Sequence, residues 1–129
     1  MVQVTEAQEE FLKKPINVLV GTKRKDGSVQ INPAWYEFKD GYFYLNSSKG
    51  RYWPEHIQRE KQATLAFFDP DNFHNFIEAV VKLVEVTEEG AAEHIHELSR
   101  RYTGNDYPLT PEMNRIKMKF EIVRIYGSI

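Results

Sequence analysis

The densest run of polar side chains in this chain is Asn46-Ser47-Ser48-Lys49-Gly50-Arg51. An amide, two hydroxyls, a glycine and two cations follow one another there. Directly after them, Trp53-Pro54-Glu55-His56-Ile57 reads as the first turn of a short helix, with proline near its start. Hydroxyls, cations and free backbone N–H groups at a helix N-terminus converge on one point, and that is what a phosphate requires. The same residues also fit a plainer description, a strand-to-helix loop whose serines only cap the helix. The spaced glycines of a nucleotide-binding P-loop are absent. Aromatic side chains flank the cluster in sequence: Trp35, Tyr36, Tyr52 and Trp53, with Phe73 and Phe76 in a later loop. A flat heterocyclic ligand needs apolar walls and a few polar edge contacts. Each of these rings serves equally well as core or as subunit interface.

Other chemistries find less support. There is no cysteine, which removes disulfides, thiolate nucleophiles and zinc–cysteine sites. His94 and His96 stand two apart on an expected helix, about 200° around its axis, and so do not share a metal. His56 and His74 have no second histidine at ligand spacing, and no metal site is expected. No paired carboxylates, nucleophile elbow or Ser-His-Asp pattern points to hydrolysis.

The elements that position the cluster read mainly as β. Thr5-Glu6-Ala7-Gln8 has capping-box spacing for a helix to about Lys13, with Phe11 and Leu12 inward and Pro15 ending it. Strands are expected over Ile16–Thr22, Val29–Phe38 and Tyr42–Ser47. The turns Lys25-Asp26-Gly27-Ser28 and Lys39-Asp40-Gly41 would join these three as a meander. Pro33 marks an edge, a bulge or a ligand-facing position, since it donates nothing to a ladder. Further strands fit Ala63–Phe68, Phe76–Val86 and Met118–Tyr126, the last with Met118, Phe120, Ile122 and Arg124 on one face. Thr87 is placed to cap a helix from Glu88 to Tyr102, and Thr110-Pro111-Glu112 to start one more helical turn. Six strands on tight turns make a small antiparallel barrel, which closes a sheet without leaving unpaired edges.

The 129 residues suit a single domain, 1–129. A net charge of -2, from 17 basic and 19 acidic residues, gives no field to attract nucleic acid or an anionic membrane. Lys23-Arg24-Lys25 is locally basic, but Asp26-Gly27 follows at once, as at a solvated hairpin tip. No apolar run approaches a membrane span, and no secretory signal is visible, so a cytoplasmic protein is expected. A chain this short gains buried surface by self-association.

Three stretches in order carry a resemblance. They are Lys25-Asp26-Gly27-Ser28 leading to Asn32-Pro33-Ala34-Trp35-Tyr36; Ser47-Ser48-Lys49-Gly50-Arg51 with Trp53 to Ile57 and Ala63 to Asp71; and Arg124-Ile125-Tyr126-Gly127. Together they resemble the pyridoxamine-phosphate-oxidase-like split β-barrels, and more narrowly the deazaflavin-dependent branch of the flavin/deazaflavin oxidoreductases. The resemblance implies a mainly β fold with flanking helices, a six-stranded antiparallel split barrel, and a homodimer with its cofactor site at the subunit interface. It implies that Ser47, Ser48, Lys49 and Arg51 hold a coenzyme phosphate, and that Asn32, Pro33 and Trp35 lie along its ring. Asn46, Gly50, Trp53, Pro54 and His56 belong to the same cofactor-binding set. Phe73, His74 and Tyr126 are candidates to complete the site from either subunit.

The family often has lysine where this chain has Trp53 and asparagine where it has His56. A phosphate counter-charge is therefore missing, and Lys49 and Arg51 are expected to cover for it. The implied reaction is hydride transfer from reduced coenzyme F420 to an unsaturated or conjugated organic acceptor, with solvent supplying the proton. An FMN enzyme is the first alternative, and a non-catalytic flavin- or heme-binding protein the second.

Overall fold

The structure, a computed structural model, describes residues 2–129. Its elements in chain order are α1 (Glu6–Leu12), β1 (Val18–Lys23), β2 (Val29–Ala34), β3 (Glu37–Lys39), β4 (Tyr42–Ser48), α2 (Tyr52–Glu60), β5 (Gln62–Asp69), β6 (Asn72–Thr87), α3 (Ala91–Thr103) and β7 (Arg115–Gly127). The seven strands form one sheet in the order β2-β1-β5-β6-β7-β4-β3, with every neighbouring pair antiparallel. Its two outermost strands, β2 and β3, are separated in the chain by Trp35 and Tyr36 alone. So short a link spans at most roughly 10 Å, so the sheet curls until its edges nearly meet. The result is a barrel split along one seam.

The interior is apolar and aromatic. Phe43 stacks on Phe67 with ring centroids 5.2 Å apart, and Tyr36 meets Phe67 edge-on at 4.7 Å. Leu12 of α1 and Ile57 of α2 are fully enclosed against these rings. The predicted capping box forms: Thr5 Oγ1 accepts from the Gln8 N–H at 3.1 Å, and Gln8 Oε1 accepts from the Thr5 N–H at 2.9 Å. At the Asp40-Gly41 turn both residues have positive φ, 55° and 84°, the geometry of a tight hairpin.

Several expectations are corrected. Among the described residues there are seven strands, not six, because the expected strand Val29–Phe38 breaks at Trp35-Tyr36. Tyr36 turns wholly into the core, while Trp35 stacks on Tyr102 of α3 at 5.3 Å. The three-strand meander does not form: β2 pairs only with β1, and β4 pairs with β3 and β7. Alternation fixes which face a residue takes but not which strand lies alongside. α3 begins at Ala91 after Gly90 rather than at Glu88, and Thr87 ends β6 with its hydroxyl accepting from the Glu89 N–H at 3.0 Å. β6 starts at Asn72, which pairs with Asp69, and Phe73 to Asn75 form an irregularity in the ladder before Phe76 pairs with Phe68. Thr110 to Met113 closes one turn, with the Met113 N–H donating to the Thr110 carbonyl at 3.0 Å, and no helix follows.

The last strand starts at Arg115, three residues before the expected Met118, and contains a bulge. Val80 pairs with Arg124 but Val81 with Ile122, which leaves Val123 as the extra residue. The bulge swaps faces, so Arg124 points outward and Ile125 packs against the core.

Candidate active site

A cleft of about 360 Å³ opens where the end of β2, the end of β4, the start of α2, α3 and the start of β7 come together. It brings Asn32, Pro33, Trp35, Asn46, Arg51 and Trp53 of the expected set to one place. Asn17, Ile95, Leu98, Tyr107 and Arg115 complete the wall.

Pleating explains how β4 distributes its polar cluster. Ser47 alternates with Phe43 and Leu45 and points into the barrel, where its buried Oγ has no hydrogen-bond partner among the described residues. Asn46 faces the other way, beneath α3. Its Nδ2 donates to the Ala91 carbonyl at 2.9 Å and lies 3.1 Å from His94 Nδ1, while its Oδ1 accepts from Arg115 Nε at 2.8 Å. Because the Asn46 amide is the donor there, His94 Nδ1 accepts, and the ring proton sits on Nε2. That nitrogen lies 3.3 Å from Glu37 Oε1, a contact between a neutral imidazole N–H and a carboxylate. The His94 N–H facing it holds the Glu37 carboxyl below its ordinary range.

Ser48 Oγ accepts from Arg115 Nη1 at 3.0 Å. Lys49 turns to the surface and pairs with Glu88 at 2.7 Å, and it takes no part in the cleft wall. Gly50 is exposed, with φ +86°. Pro54 is buried in the first turn of α2. His56 is buried against Thr22, its Nδ1 lying 3.0 Å from the hydroxyl, and it lines a second groove of about 660 Å³ with Arg24, Lys25 and Arg59. Phe73 and His74 lie exposed near the start of β6, and Tyr126 is half-exposed on β7; none of them lines this cleft.

The aromatic wall is held from behind. Trp35 lies between Tyr102, stacked at 5.3 Å, and Tyr107, edge-on at 6.3 Å. Tyr102 donates its hydroxyl to the Ile16 carbonyl at 2.6 Å, and Arg101 donates to the Tyr36 and Lys13 carbonyls at 2.5 and 2.7 Å. The C-terminal turn of α3 thereby ties the β2–β3 link to the chain after α1. Burial raises the phenol pKa of both Tyr36 and Tyr102, so both rings stay neutral hydrogen-bond donors.

Sequence reasoning missed Arg115. It starts β7 beneath Tyr107, with its guanidinium 5.2 Å from that ring, and only 8% of it is exposed. The signal was present, since the alternation of the last strand runs back through Ile116, but a strand begun at Met118 left the arginine in a loop.

Comparison with known proteins gives the family. The Pyridoxamine 5'-phosphate oxidase family profile matches residues 4–126. No curated relative matches the sequence. Among solved structures, an F420 reductase superposes with TM-score 0.86 at 19% identity, covering 97% of this chain and all (100%) of that one. A conserved hypothetical protein from Mycobacterium tuberculosis gives 0.68 at 22% identity, over 96% of this chain and 84% of its own. General Stress Protein 26 from Bacillus anthracis gives 0.70 at 14% identity, over 92% and 88%. At such identities these likenesses concern the fold, and the profile carries the assignment: the chain belongs to the pyridoxamine 5'-phosphate oxidase family.

Proposed function

We propose that the protein is an oxidoreductase that binds a phosphorylated tricyclic coenzyme, coenzyme F420 before FMN, in the cleft beside Trp35. One observation carries this reading: a cleft with Trp35, Trp53 and Tyr107 in its wall also holds two arginines and no carboxylate. Aromatic walls suit a flat ring, and uncompensated cations suit its phosphate tail. The likeness in fold to an F420 reductase supports the deazaflavin choice. When bound, the coenzyme supplies the hydride that reduces an unsaturated or conjugated acceptor.

The chain's own residues bind and orient. Arg51 precedes the first turn of α2, whose N-terminus no side chain caps, so cation and free backbone donors share one anion. Trp35, locked by Tyr102, offers a ring edge at fixed height. Asn17 and Asn32 line the cleft, with Asn32 Oδ1 already accepting from Gln30 Nε2 at 2.9 Å. Ile95 and Leu98 of α3 keep water from that side.

We also propose that the protein acts as a homodimer. The outer face of the sheet is apolar across several strands: Val29 and Ile31 are 60% and 63% exposed, and Phe68, Phe76 and Tyr126 lie 40–49% exposed. Register sets Ile31 beside Gly21, Thr64 and Val80 in one row, and Phe68 beside Phe76 in another. A monomer rarely leaves so broad an apolar face to water.

The test is a titration of the purified protein with coenzyme F420 and with FMN, followed by fluorescence and then by oxidation of the reduced form against a panel of acceptors. Micromolar binding of coenzyme F420 with turnover of at least one acceptor is the expected result. Tight FMN with indifference to the deazaflavin would replace the coenzyme. Binding without turnover would return the protein to a carrier role.

A further inference from the structure

Arg115 presents an unusual electrostatic situation. Its side chain is more than nine-tenths buried, yet among the described residues it makes no ion pair. Nε and Nη1 are committed to neutral partners, Asn46 Oδ1 at 2.8 Å and Ser48 Oγ at 3.0 Å. Beyond these, Tyr107 is the side chain at the guanidinium among the described residues; it is neutral too, and Arg115 lines the cleft. The charged side chain that acts on it, Arg51, is of the same sign. Burial is the main cause lowering the Arg115 pKa, and Arg51 adds to it, while Tyr107 opposes both. A buried cation without an anion costs free energy that a folded protein normally removes by pairing. Here the surroundings do the opposite and hold the guanidinium rigidly in place. Asn46 is itself fixed by His94 and the Ala91 carbonyl, and the ring of Tyr107 lies against the guanidinium.

We infer that Arg115 and Arg51 together form an oxyanion site, and that its ligand is the phosphate group of the coenzyme, which replaces the missing counter-ion. The inference rests on the oxidoreductase reading only for the identity of the molecule that bears the phosphate. It reassigns the second phosphate cation from Lys49, neutralised at the surface by Glu88, to a residue 66 positions further along the chain. The planar guanidinium meets a phosphate with two parallel N–H groups, and Asn46 and Ser48 fix the plane in which they point.

The probe is inorganic phosphate, read as the rise in melting temperature with phosphate concentration at constant ionic strength. Alongside it, FMN and riboflavin, which differ only by a phosphate, are compared by fluorescence quenching. Wild-type protein should be stabilised by phosphate and should prefer FMN to riboflavin. Arg115→Gln and Arg51→Gln should each weaken phosphate binding at least tenfold and bring FMN towards riboflavin, with Lys49→Gln within twofold of wild type. Arg51 is exposed and, among the described residues, caps α2 with no side-chain hydrogen bond, so its variant keeps the test alive should Arg115→Gln fold poorly.

Failure of wild-type protein to bind phosphate overturns the inference. So does an unchanged phosphate response in Arg51→Gln, or loss of the response in Lys49→Gln alone. Phosphate binding that depends on both arginines, in a protein that takes up neither coenzyme, upholds the oxyanion site and overturns the oxidoreductase reading. Tight coenzyme binding that ignores Arg115 does the reverse.

Discussion

At the scale of single residues, backbone geometry makes the sharpest demand at Gly127. Its φ is +136°, and a Cβ there would fall inside the van der Waals envelope of the Phe76 carbonyl oxygen. The close approach lets the end of β7 run against β6, where the Ser128 N–H donates to the same carbonyl at 3.1 Å. Gly127→Ala should lower stability by about 2 kcal/mol or more, from backbone strain and overlap together, as measured by urea unfolding. Tyr36 makes a different demand. Its buried hydroxyl bonds to the Leu12 and Lys14 carbonyls at 2.8 and 3.1 Å, which pins the end of α1 over the barrel. Tyr36→Phe should cost about 1–2 kcal/mol and leave coenzyme affinity unchanged, because the ring remains and only the tether is lost.

At the scale of elements, α3 acts as a clasp. It covers β4 through His94 and Asn46, and it reaches β3 through Glu37. Glu37 has a lowered folded-state pKa, so its contribution to stability is fully present above the ordinary carboxyl value near 4.5. That contribution is lost as pH falls through the depressed folded value. Glu37→Gln should therefore be less stable than wild type near neutral pH, and the two should converge in acid. Thermal unfolding across pH 3 to 7, chosen as roughly the span in which a carboxylate titrates, reads this directly. A constant gap between the two proteins would mean that Glu37 acts by shape rather than charge. α1 depends on its capping box, and Thr5→Ala should cost about 1 kcal/mol of stability.

At the scale of the whole molecule, the split barrel presents the apolar sheet face on its outside and the cleft where β2, β4, β7 and two helices meet. Val29 and Ile31 lie on an edge strand and contribute nothing to the core, so a charge there leaves the fold intact. Ile31→Lys should convert a dimer to a monomer in analytical ultracentrifugation with little change in the monomer's circular dichroism. A wild-type protein that sediments as a monomer at all concentrations would remove the dimer from the proposal. Among the described residues no helix is long and apolar enough to cross a membrane.

Local chemistry determined much of this protein. The Thr5–Gln8 box, the Asp-Gly turns and the inward Phe11 and Leu12 are all set by neighbours within a few residues, so they could be read from the chain alone. The tertiary structure decided what depends on distant partners. It chose β7 rather than β2 as the neighbour of β4, because hydrogen-bond ladders carry no label for their partner strand. It slipped the face of β7 by one residue at Val123, a bulge that no periodicity announces. It sent Lys49 out to Glu88 and brought Arg115 in to Asn46 and Ser48. Charge in a sequence is countable, but which cation ends up without a partner is settled only when the chain has folded around it.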